Sequence, residues 1–528
     1  MAGAAATPPG VSEAVFADAL NRFAGVVGAE NVYSEEEDVA LYRDAYSPLW
    51  DEREEKLASA AVAPASAEEV QAVARIANEL RIPLYPVSTG RNLGYGGSAP
   101  VLSGSVVLDL KRMNRILDIS ERDATVLVEP GVSYFDLYRH IVDNGLKLWI
   151  DCPDPGWGSV IGNAMDRGGG VTTGAYRDHF GSHCGMEVVL ADGDIIRTGM
   201  GAMPGANTWQ QNRYGYGPWV DGIFSQSNYG IVTKMGFWLM PAPDAYLSGT
   251  IAAHRHQDVI PLIDVMNRLE NIGAFTGYPQ VGSPVLFQAG AGAAPEELEA
   301  QARASGQPVW TCRLQFYGGR KVNEAQWEYC QEQFAAAIPG ATFQRGEEYD
   351  LPLTPEQAEA LGTEKVSFGI PNLGRFSIGA RSEFNDMPTS GHVWFSPILP
   401  RTGEGLLAAQ KVLFEAAEQL KPYNLSVLPM PFANWQRTFI FLINFPIYRD
   451  KDANRQTREA FRKLVKICAE NGLGEYRTAP AFMNDVGDTY SFNDHALRRF
   501  HERLKDAVDP NGILSAGRYG VWPRHLRT

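Results

Sequence analysis

The chain has 528 residues, of which 45% are hydrophobic and 21% are charged, values typical of a soluble globular protein with at least two domains. Its formal net charge of −15 argues against a nucleic-acid partner or an anionic membrane, because both bind basic surfaces, and favours a small ligand. The five cysteines are far apart and form no C-x-x-C pair, so they indicate neither a disulfide framework nor a metal site and favour a cytoplasmic protein.

The first eighty residues predict two helices. The segment MAGAAATPPG lacks the basic region and apolar core of a signal peptide, and no stretch approaches the roughly 18 apolar residues of a membrane span, so we expect no membrane association. Residues 12–30 predict an amphipathic helix. The segment SAEEVQAVARIANEL (66–80) predicts a second helix, because Ser66 is followed three residues later by Glu69, as in a capping box.

A glycine-rich loop, STGRNLGYGG (88–97), follows the apolar segment IPLYPV. Glycine allows positive φ and a close approach of the backbone to a ligand, and successive N–H groups in such a loop can bind a phosphate. The spacing matches neither the dinucleotide fingerprint G-x-G-x-x-G nor the P-loop. The residues of the loop alone leave two interpretations open, a tight structural turn and a pyrophosphate cradle.

The rest of the chain predicts an α+β fold with a change of composition near residues 241–244. Three short β-rich segments, GSVVLDL, RILDIS and ATVLVEPG, precede a helix at SYFDLYRHIVDNG. Glycine is dense from 150 to 240, whereas the segment from about 245 to 470 has longer helical patterns such as GEGLLAAQKVLFEAAEQL. We therefore place a domain boundary at Pro241 to Asp244.

Several long motifs in one order carry a resemblance to a known family. The segments are STGRNLGYGGSAPVLSGSVVLDLKRMNRIL, VEPGVSYFDLY, GSVIGNAMDRG, GMEVVLADGDIIRTGMGAMPG, YGYGPWVDGIFSQSNYGIVTKMGFWLMP, GEYRT and DAVDPNGILSAGRYGVWP. The chain resembles the vanillyl-alcohol oxidase and p-cresol methylhydroxylase family of flavoproteins, nearest to its bacterial eugenol and 4-alkylphenol oxidases. The resemblance covers residues 60–245 densely and 370–525 in patches. It implies an α+β FAD-binding domain of two subdomains (1–243, returning at 473–528) and an α+β cap domain (244–472).

The resemblance also implies which residues bind FAD. The segment that wraps the pyrophosphate corresponds to Ser88, Thr89, Gly90, Arg91 and Asn92. Residues along the flavin or adenine correspond to Pro130, Ser159, Gly162, Asn163, Gly230, Ile231 and Val232. Arg518 corresponds to an arginine near flavin N1, where a cation stabilises the reduced, anionic flavin. Each of these positions has an alternative interpretation as an ordinary turn, strand or surface residue.

The implied chemistry is the oxidation of a phenol held as its phenolate, with a hydride leaving the benzylic carbon for flavin N5 and a quinone methide remaining. Such a site needs positive charge and hydrogen-bond donors at the phenolic oxygen. The family's trio for this task corresponds to Tyr95, Tyr476 and Arg477. Its active-site carboxylate corresponds to Asp154, a possible base for water attack, with Asp151 as a competing candidate and a simple Pro-Gly turn as the alternative.

His392 falls where vanillyl-alcohol oxidase attaches FAD covalently, although a lone histidine is more often a core or surface group. Gly379 occupies the position of the attachment tyrosine in the p-cresol methylhydroxylase branch and has no nucleophile. The first histidine of the chain, His140, comes after the region in which vanillyl-alcohol oxidase carries an activating histidine, so covalent attachment is open. Four aromatic residues are equally compatible with a pocket and a core: Trp157, Trp394, Phe395 and Trp435.

The resemblance thus implies a homodimeric FAD-dependent oxidase of para-substituted phenols, such as 4-alkylphenols, eugenol and vanillyl-type alcohols, that reduces O₂ to hydrogen peroxide. Two alternatives remain. One is a hydroxylating dehydrogenase that passes electrons to a c-type cytochrome, against which the missing tyrosine at Gly379 argues. The other is a flavin-binding protein without turnover, against which the joint presence of Tyr95, Asp154, Tyr476 and Arg477 argues.

Overall fold

The computed structural model describes residues 7–286, 293–374, 389–423, 431–435 and 437–527. Helices and strands alternate at the start of the chain: α1 (Glu13–Val27), β1 (Val32–Tyr33), α2 (Glu36–Ala40), β2 (Ala60–Val62), α3 (Ala67–Leu80), β3 (Leu84–Val87), β4 (Val106–Asp109), β5 (Ile116–Ser120), β6 (Thr125–Val128) and α4 (Tyr134–Asp143). The backbone N–H of Val15 donates to Ser12 and that of Glu69 donates to Ser66, so both predicted helices begin at a serine cap.

The first sheet has the strand order β1-β2-β4-β3, with β2, β4 and β3 parallel. Its strands are buried on both faces: every residue of β2 and β4 is buried, as expected for parallel strands that are covered by helices. Helices α1 and α3 pack on one another. The glycine-rich loop starts where β3 ends, so it lies at the carboxyl edge of this sheet.

The second sheet is antiparallel, in the order β5-β6-β10-β8-β9. The elements of this part are β7 (Leu148–Trp149), α5 (Val160–Met165), α6 (Gly174–Arg177), β8 (His183–Val189), β9 (Ile195–Arg197), α7 (Asp221–Phe224), β10 (Ile231–Trp238) and β11 (Met240–Pro241). A core that includes Val128, Met186 and Met235 fills the space between this sheet and α4. The two sheets are the two subdomains of an α+β fold, as predicted.

The following segment forms its own sheets and the largest core of the molecule. Its elements are β12 (Ala245–Ala253), α8 (Val259–Asn271), β13 (Gln280–Gly282), α9 (Pro295–Ser305), β14 (Trp310–Gly318), α10 (Arg320–Ala337), β15 (Thr342–Asp350), α11 (Pro355–Ala360), β16 (Thr389–Phe395), β17 (Ile398–Pro400), α12 (Gly403–Leu420), β18 (Pro431–Trp435), β19 (Thr438–Phe441), β20 (Ile443–Tyr448) and α13 (Lys451–Glu470). The strand orders are β13-β14-β12-β15, β17-β19-β18, and the pair β16-β20.

The last residues return to the first sheet through α14 (Met483–Thr489) and α15 (Phe492–Val508). The backbone of Leu84 in β3 bonds to Ile513 and Ser515 at 2.6 and 2.8 Å. The buried ammonium of Lys505 donates to the carbonyl oxygens of Asn228 and Leu514 and to Asp509. These bonds hold the C-terminal segment against the FAD-binding part, while the exact domain boundaries at 243 and 472 stay a prediction.

A buried ion cluster joins α6 to the cap. Glu270 of α8 accepts a 2.7 Å bond from Arg177, and its other oxygen pairs with Arg401. Both arginine side chains are only 2% exposed. No helix in the described ranges is both long and apolar enough to cross a membrane.

Candidate active site

A cavity of about 1240 Å³ lies between the two FAD-domain sheets and the cap. Most of the residues predicted to bind FAD or substrate line it: Ser88, Gly90, Arg91, Asn92, Tyr95, Pro130, Asp154, Ser159, Gly162, Asn163, Gly230, Ile231, Val232, Tyr476, Arg477 and Arg518. Thr89 and His392 are not among the lining residues. Residues far apart in sequence therefore converge on one space.

The glycine-rich loop is fixed by a tight turn and by contact with β16. The N–H of Tyr95 donates to Asn92 O at 2.9 Å, and the N–H of Trp394 donates to Gly94 O at 2.9 Å. Gly94 has φ +74°, and a Cβ there would lie 2.3 Å from the Trp394 ring and 2.6 Å from His392 Nε2. The loop is thus a structural turn whose residues also line the cavity. The interpretation as a turn is therefore compatible with the interpretation as a pyrophosphate cradle, which stays a prediction.

Tyr95, Tyr476 and Arg477 meet at one end of the cavity. The Arg477 guanidinium carbon lies 3.8 Å from the ring centroid of Tyr95 and 5.4 Å from that of Tyr476. The Tyr95 hydroxyl is 2.5 Å from Ser396 Oγ. Arg477 Nε is buried and has no hydrogen-bond partner among the described residues. The structure brings the predicted trio together.

Burial controls the protonation of this trio. Burial raises the pKa of Tyr95, and Arg477 only partly opposes this effect. The pKa of Tyr476 is raised well above its ordinary value, again chiefly by burial. For Arg477, burial lowers the pKa, but the neighbouring Tyr476, Tyr95 and Asp166 outweigh it and the net shift is upward. At neutral pH the end of the cavity therefore presents two O–H donors and one cation.

The two aspartates that compete as the active-site carboxylate have different surroundings. Asp154 lines the cavity. Asp151 is instead held by Thr172, whose N–H and hydroxyl donate to it at 3.1 and 2.5 Å, and His179 Nε2 lies 3.4 Å away. Asp151 is engaged in binding the backbone, which leaves Asp154 as the better placed carboxylate.

Asp166 is a central residue that the motif analysis did not single out. It follows α5 and is 5% exposed. Asn92 Nδ2 donates to it at 2.5 Å, and the Tyr519 hydroxyl donates to its other oxygen. Arg518 and Arg477 approach it at 3.3 and 3.9 Å. Its only sequence signal is an acidic residue between a helix and three glycines in NAMDRGGG.

The predicted flavin residues surround the middle of the cavity. Ser159 caps α5, donating to Pro130 O at 2.6 Å and accepting from Gly162 N at 2.9 Å. A Cβ on Gly162 would lie 2.3 Å from Ser88 Oγ, so the backbone approaches the loop closely there. Arg518 donates to the Tyr85 hydroxyl at 2.6 Å. Several of these residues shape the cavity through caps and turns.

His392 lies behind the glycine-rich loop. It is 1% exposed, and its ring centroid is 4.7 Å from that of Trp394 and 5.8 Å from that of Tyr46. Gly379, the other attachment position, lies outside the described residues. A second residue of the N-terminal segment, Asp44, packs under the loop: a Cβ on Gly97 would lie 3.1 Å from its Oδ1.

The aromatic residues divide between pocket and core. Trp157 and Trp394 line the cavity, and the Arg91 guanidinium carbon lies 4.7 Å from the Trp157 ring centroid. Phe395 is a core residue, fully buried with its ring 5.5 Å from that of Phe461. The role of Trp435, in β18, stays a prediction. The cap wall of the cavity was not predicted from the sequence. It is formed by residues in or just before β12, β13 and β14 and by one residue after α11: Thr250, Tyr278, Gln280, Thr311, Arg313 and Glu364.

The cavity has the features that a dinucleotide with a pyrophosphate requires. Glycine-rich segments line it, Arg477 and Arg518 face it, and its volume exceeds that of ordinary drug-sized pockets. FAD fits the residues present. The loop from Ser88 to Asn92 would hold the pyrophosphate, and Arg518 would face the flavin.

Comparison with known proteins agrees with this geometry. A family described as "FAD binding domain" matches residues 58–199. The flavoprotein subunit of 4-cresol dehydrogenase [hydroxylating] from Pseudomonas putida is 33% identical over 534 residues, which cover 98% of each chain. A 4-ethylphenol oxidase from Gulosibacter chungangensis in complex with isoeugenol is 36% identical, with a TM-score of 0.83 over 99% of this chain and 100% of the other.

A second solved structure, p-cresol methylhydroxylase with substrate bound, has 31% identity and a TM-score of 0.83, covering 98% of this chain and 99% of the other. Identity above 30% over nearly the whole length of these proteins, together with the shared fold and the converging cavity residues, establishes the relationship. The chain therefore belongs to the p-cresol methylhydroxylase and vanillyl-alcohol oxidase family of FAD-dependent oxidoreductases.

Proposed function

We propose that the protein is an FAD-dependent oxidase of para-substituted phenols, including 4-alkylphenols, 4-allylphenols such as eugenol, and vanillyl-type alcohols. The observation that carries this proposal is the buried Arg477 guanidinium between Tyr95 and Tyr476 at one end of the cavity. A phenol that enters there meets a cation and two hydroxyl donors. Because the surroundings are buried, the attraction for a phenolate is stronger than in water.

The residues of the chain hold the phenolic oxygen as an anion and exclude water from it. Tyr95 and Tyr476 donate to that oxygen, and Arg477 supplies the charge that favours loss of the phenol proton. FAD, when bound, would supply the two-electron acceptor for oxidation of the benzylic carbon, with O₂ as the final acceptor and hydrogen peroxide as its product. The substrate is then a neutral quinone methide, whose former benzylic carbon can be attacked by water.

Asp154 is the candidate base for this water. It lines the same cavity as the trio, and a carboxylate accepts a proton from water as the new C–O bond forms. In a 4-alkylphenol the attack gives an alcohol at the benzylic carbon. In a vanillyl-type alcohol no water is needed, because loss of the hydroxyl proton gives the aldehyde directly.

The direct test is anaerobic mixing of the FAD-loaded protein with 4-ethylphenol, eugenol and vanillyl alcohol. We expect bleaching of the flavin absorbance, followed on admission of air by reoxidation and one hydrogen peroxide per substrate. A flavin that stays oxidised with every phenol would contradict the proposal. Bleaching without reoxidation by air would support the oxidation of phenols but not the use of O₂ as electron acceptor. It would favour a protein electron acceptor, as the dehydrogenase name of one relative suggests.

We further propose that FAD is attached covalently through His392. The histidine is buried directly behind Gly94 of the glycine-rich loop, whose neighbours Leu93 and Tyr95 line the cavity. Denaturation of the wild-type protein with acid should leave the yellow colour in the protein pellet, whereas His392→Ala should release it to the supernatant. Release of all flavin from the wild-type protein would contradict covalent attachment without affecting the proposed oxidation.

A further inference from the structure

Asp166 lies between two of the arginine side chains that line the cavity, Arg477 and Arg518. Its Oδ1 is 3.3 Å from Arg518 Nη2, and its Oδ2 is 3.9 Å from Arg477 Nη1. The backbone carbonyl of Asp166 also accepts a 3.5 Å bond from Arg477. Asn92 donates a hydrogen bond to Oδ2 of the carboxylate, and the Tyr519 hydroxyl donates one to Oδ1. The carboxylate is therefore fixed from four directions.

The charges at this point do not cancel. Among the described residues, Asp166 is the only carboxylate within 4.0 Å of either guanidinium group. Glu475 is also near Arg477, but burial raises the pKa of its carboxyl group well above the ordinary value and so disfavours its charged form. The guanidinium groups of Arg477 and Arg518 and the carboxylate of Asp166 together carry one net positive charge, which the two guanidinium groups share.

A shared charge suits the oxidation of a phenolate. Two partly buried arginines without a counter-charge would each carry an unfavourable desolvation cost, and two dedicated carboxylates would leave no cation for the substrate. Arg477 would lie beside the phenolic oxygen and Arg518 beside bound FAD, so each of the two groups between which electrons would move has a cation near it.

We propose that Asp166 is a positioning residue that divides one net positive charge between Arg477 and Arg518 and thereby sets how strongly the cavity favours a phenolate. This inference rests on the proposed function, because it takes the Arg477 end of the cavity to be the phenolate site. The titratable and charged groups that face this cluster are Tyr85, Tyr95, Glu475, Tyr476, Arg477, Arg518 and Tyr519.

The test uses 4-nitrophenol, a phenol without a benzylic hydrogen whose phenolate absorbs at longer wavelength than its neutral form. Binding to the FAD-loaded protein is measured by difference absorbance against pH. In the wild type, the pH at which half of the bound ligand is phenolate should lie below that of the free ligand. In Asp166→Asn, loss of one negative charge should lower this midpoint by about one further pH unit.

Three further variants separate charge from structure. Asp166→Glu restores the charge and should bring the midpoint back toward the wild-type value. Arg518→Gln removes the second cation and should raise the midpoint. Asp221→Asn is the matched control: it removes a fully buried carboxylate that pairs with His183 at 3.0 Å and does not line the cavity, so the midpoint should not move.

The outcomes distinguish the two proposals. If the wild-type protein does not bind 4-nitrophenol as phenolate, the proposed function fails. If it does, but Asp166→Asn retains FAD and has the wild-type midpoint, the inference about Asp166 fails alone. If Asp166→Asn does not fold, Arg518→Gln decides, because an unchanged midpoint in that variant would show that the two arginines share no charge.

Discussion

At the scale of single residues, the site depends on donors whose protons are held by burial. Tyr95 and Tyr476 keep their hydroxyl protons because burial raises the pKa of both phenols more than Arg477 lowers it. They can therefore donate to a bound phenolate, which the cation alone would attract without orienting it. Removing one hydroxyl tests whether the anion is formed at this end of the cavity.

We expect Tyr476→Phe to slow anaerobic flavin reduction by 4-ethylphenol about 10- to 100-fold, because a hydrogen bond to a charged group contributes about 1.5–3 kcal/mol. The rate is measured by rapid mixing at saturating phenol. Tyr138→Phe, on the remote helix α4, is the control and should be unchanged. An unaltered rate in Tyr476→Phe would remove this residue from the site.

The two neighbouring aspartates should differ in what they affect. Asp154→Asn should lower the rate of product formation from 4-ethylphenol, about 10- to 1000-fold if a base is required, with little effect on stability. Asp151→Asn should lower the melting temperature instead, because Thr172 and His179 lose a charged acceptor. Product analysis and thermal unfolding of both variants make the comparison. Equal losses of rate in the two variants would count against Asp154 as the base.

At the scale of elements, the glycine-rich loop joins the first sheet to β16. The contact at Gly94 allows no side chain, because a Cβ would lie 2.3 Å from Trp394. Gly94→Ala should therefore lower the FAD content of the purified protein and its melting temperature. Gly145→Ala has a similar φ of +63° in open space and measures the cost of the backbone conformation alone. If the two variants behave alike, the contact with Trp394 is unimportant.

The features that could be predicted from the sequence are those whose signals are local in the chain. Ser66 and Glu69 gave the start of α3, and the loop after an apolar strand gave one wall of the cavity, because both signals are local. Asp166 was missed because its partners are distant in sequence: Tyr519 is 353 residues away. The cap wall, including Arg313, was missed for a related reason: alternating strands predict a sheet, but not which of its faces covers a ligand.

At the scale of the whole molecule, stability should depend on pH through Asp44. Burial raises the pKa of this carboxyl group from 3.8 to about 6 in the folded protein. An acid with a raised folded pKa contributes its full stability below the unfolded pKa, and this contribution is lost as pH rises from about 4 to about 6. Two pKa units correspond to about 3 kcal/mol.

Asp44→Asn should therefore be more stable than the wild type at pH 7, with the difference shrinking as the pH falls toward about 4. The Asn side chain can keep the 2.8 Å bond from the N–H of Tyr46. Melting temperatures at a series of pH values give the comparison. A constant difference across this range would show that Asp44 does not titrate in it.

The ion cluster between α6 and the cap is a second property of the whole chain. Glu270→Gln leaves Arg177 and Arg401 without their shared counter-charge, which should cost about 3–5 kcal/mol, seen as a lower melting temperature. Glu79→Gln breaks a surface pair with Arg22 and should lower the melting temperature far less, because solvent screens an exposed pair. Similar melting temperatures for the two variants would mean that the buried cluster does not hold the cap in place.

The ion cluster also bears on substrate entry and product release. Because opening of the cap would separate Glu270 from two buried guanidinium groups, we expect the cap to stay closed and reactants to pass through an opening of fixed width. We then expect turnover of bulky phenols to be limited by escape of the product, so that lengthening the para substituent slows the steady state more than it slows a single turnover.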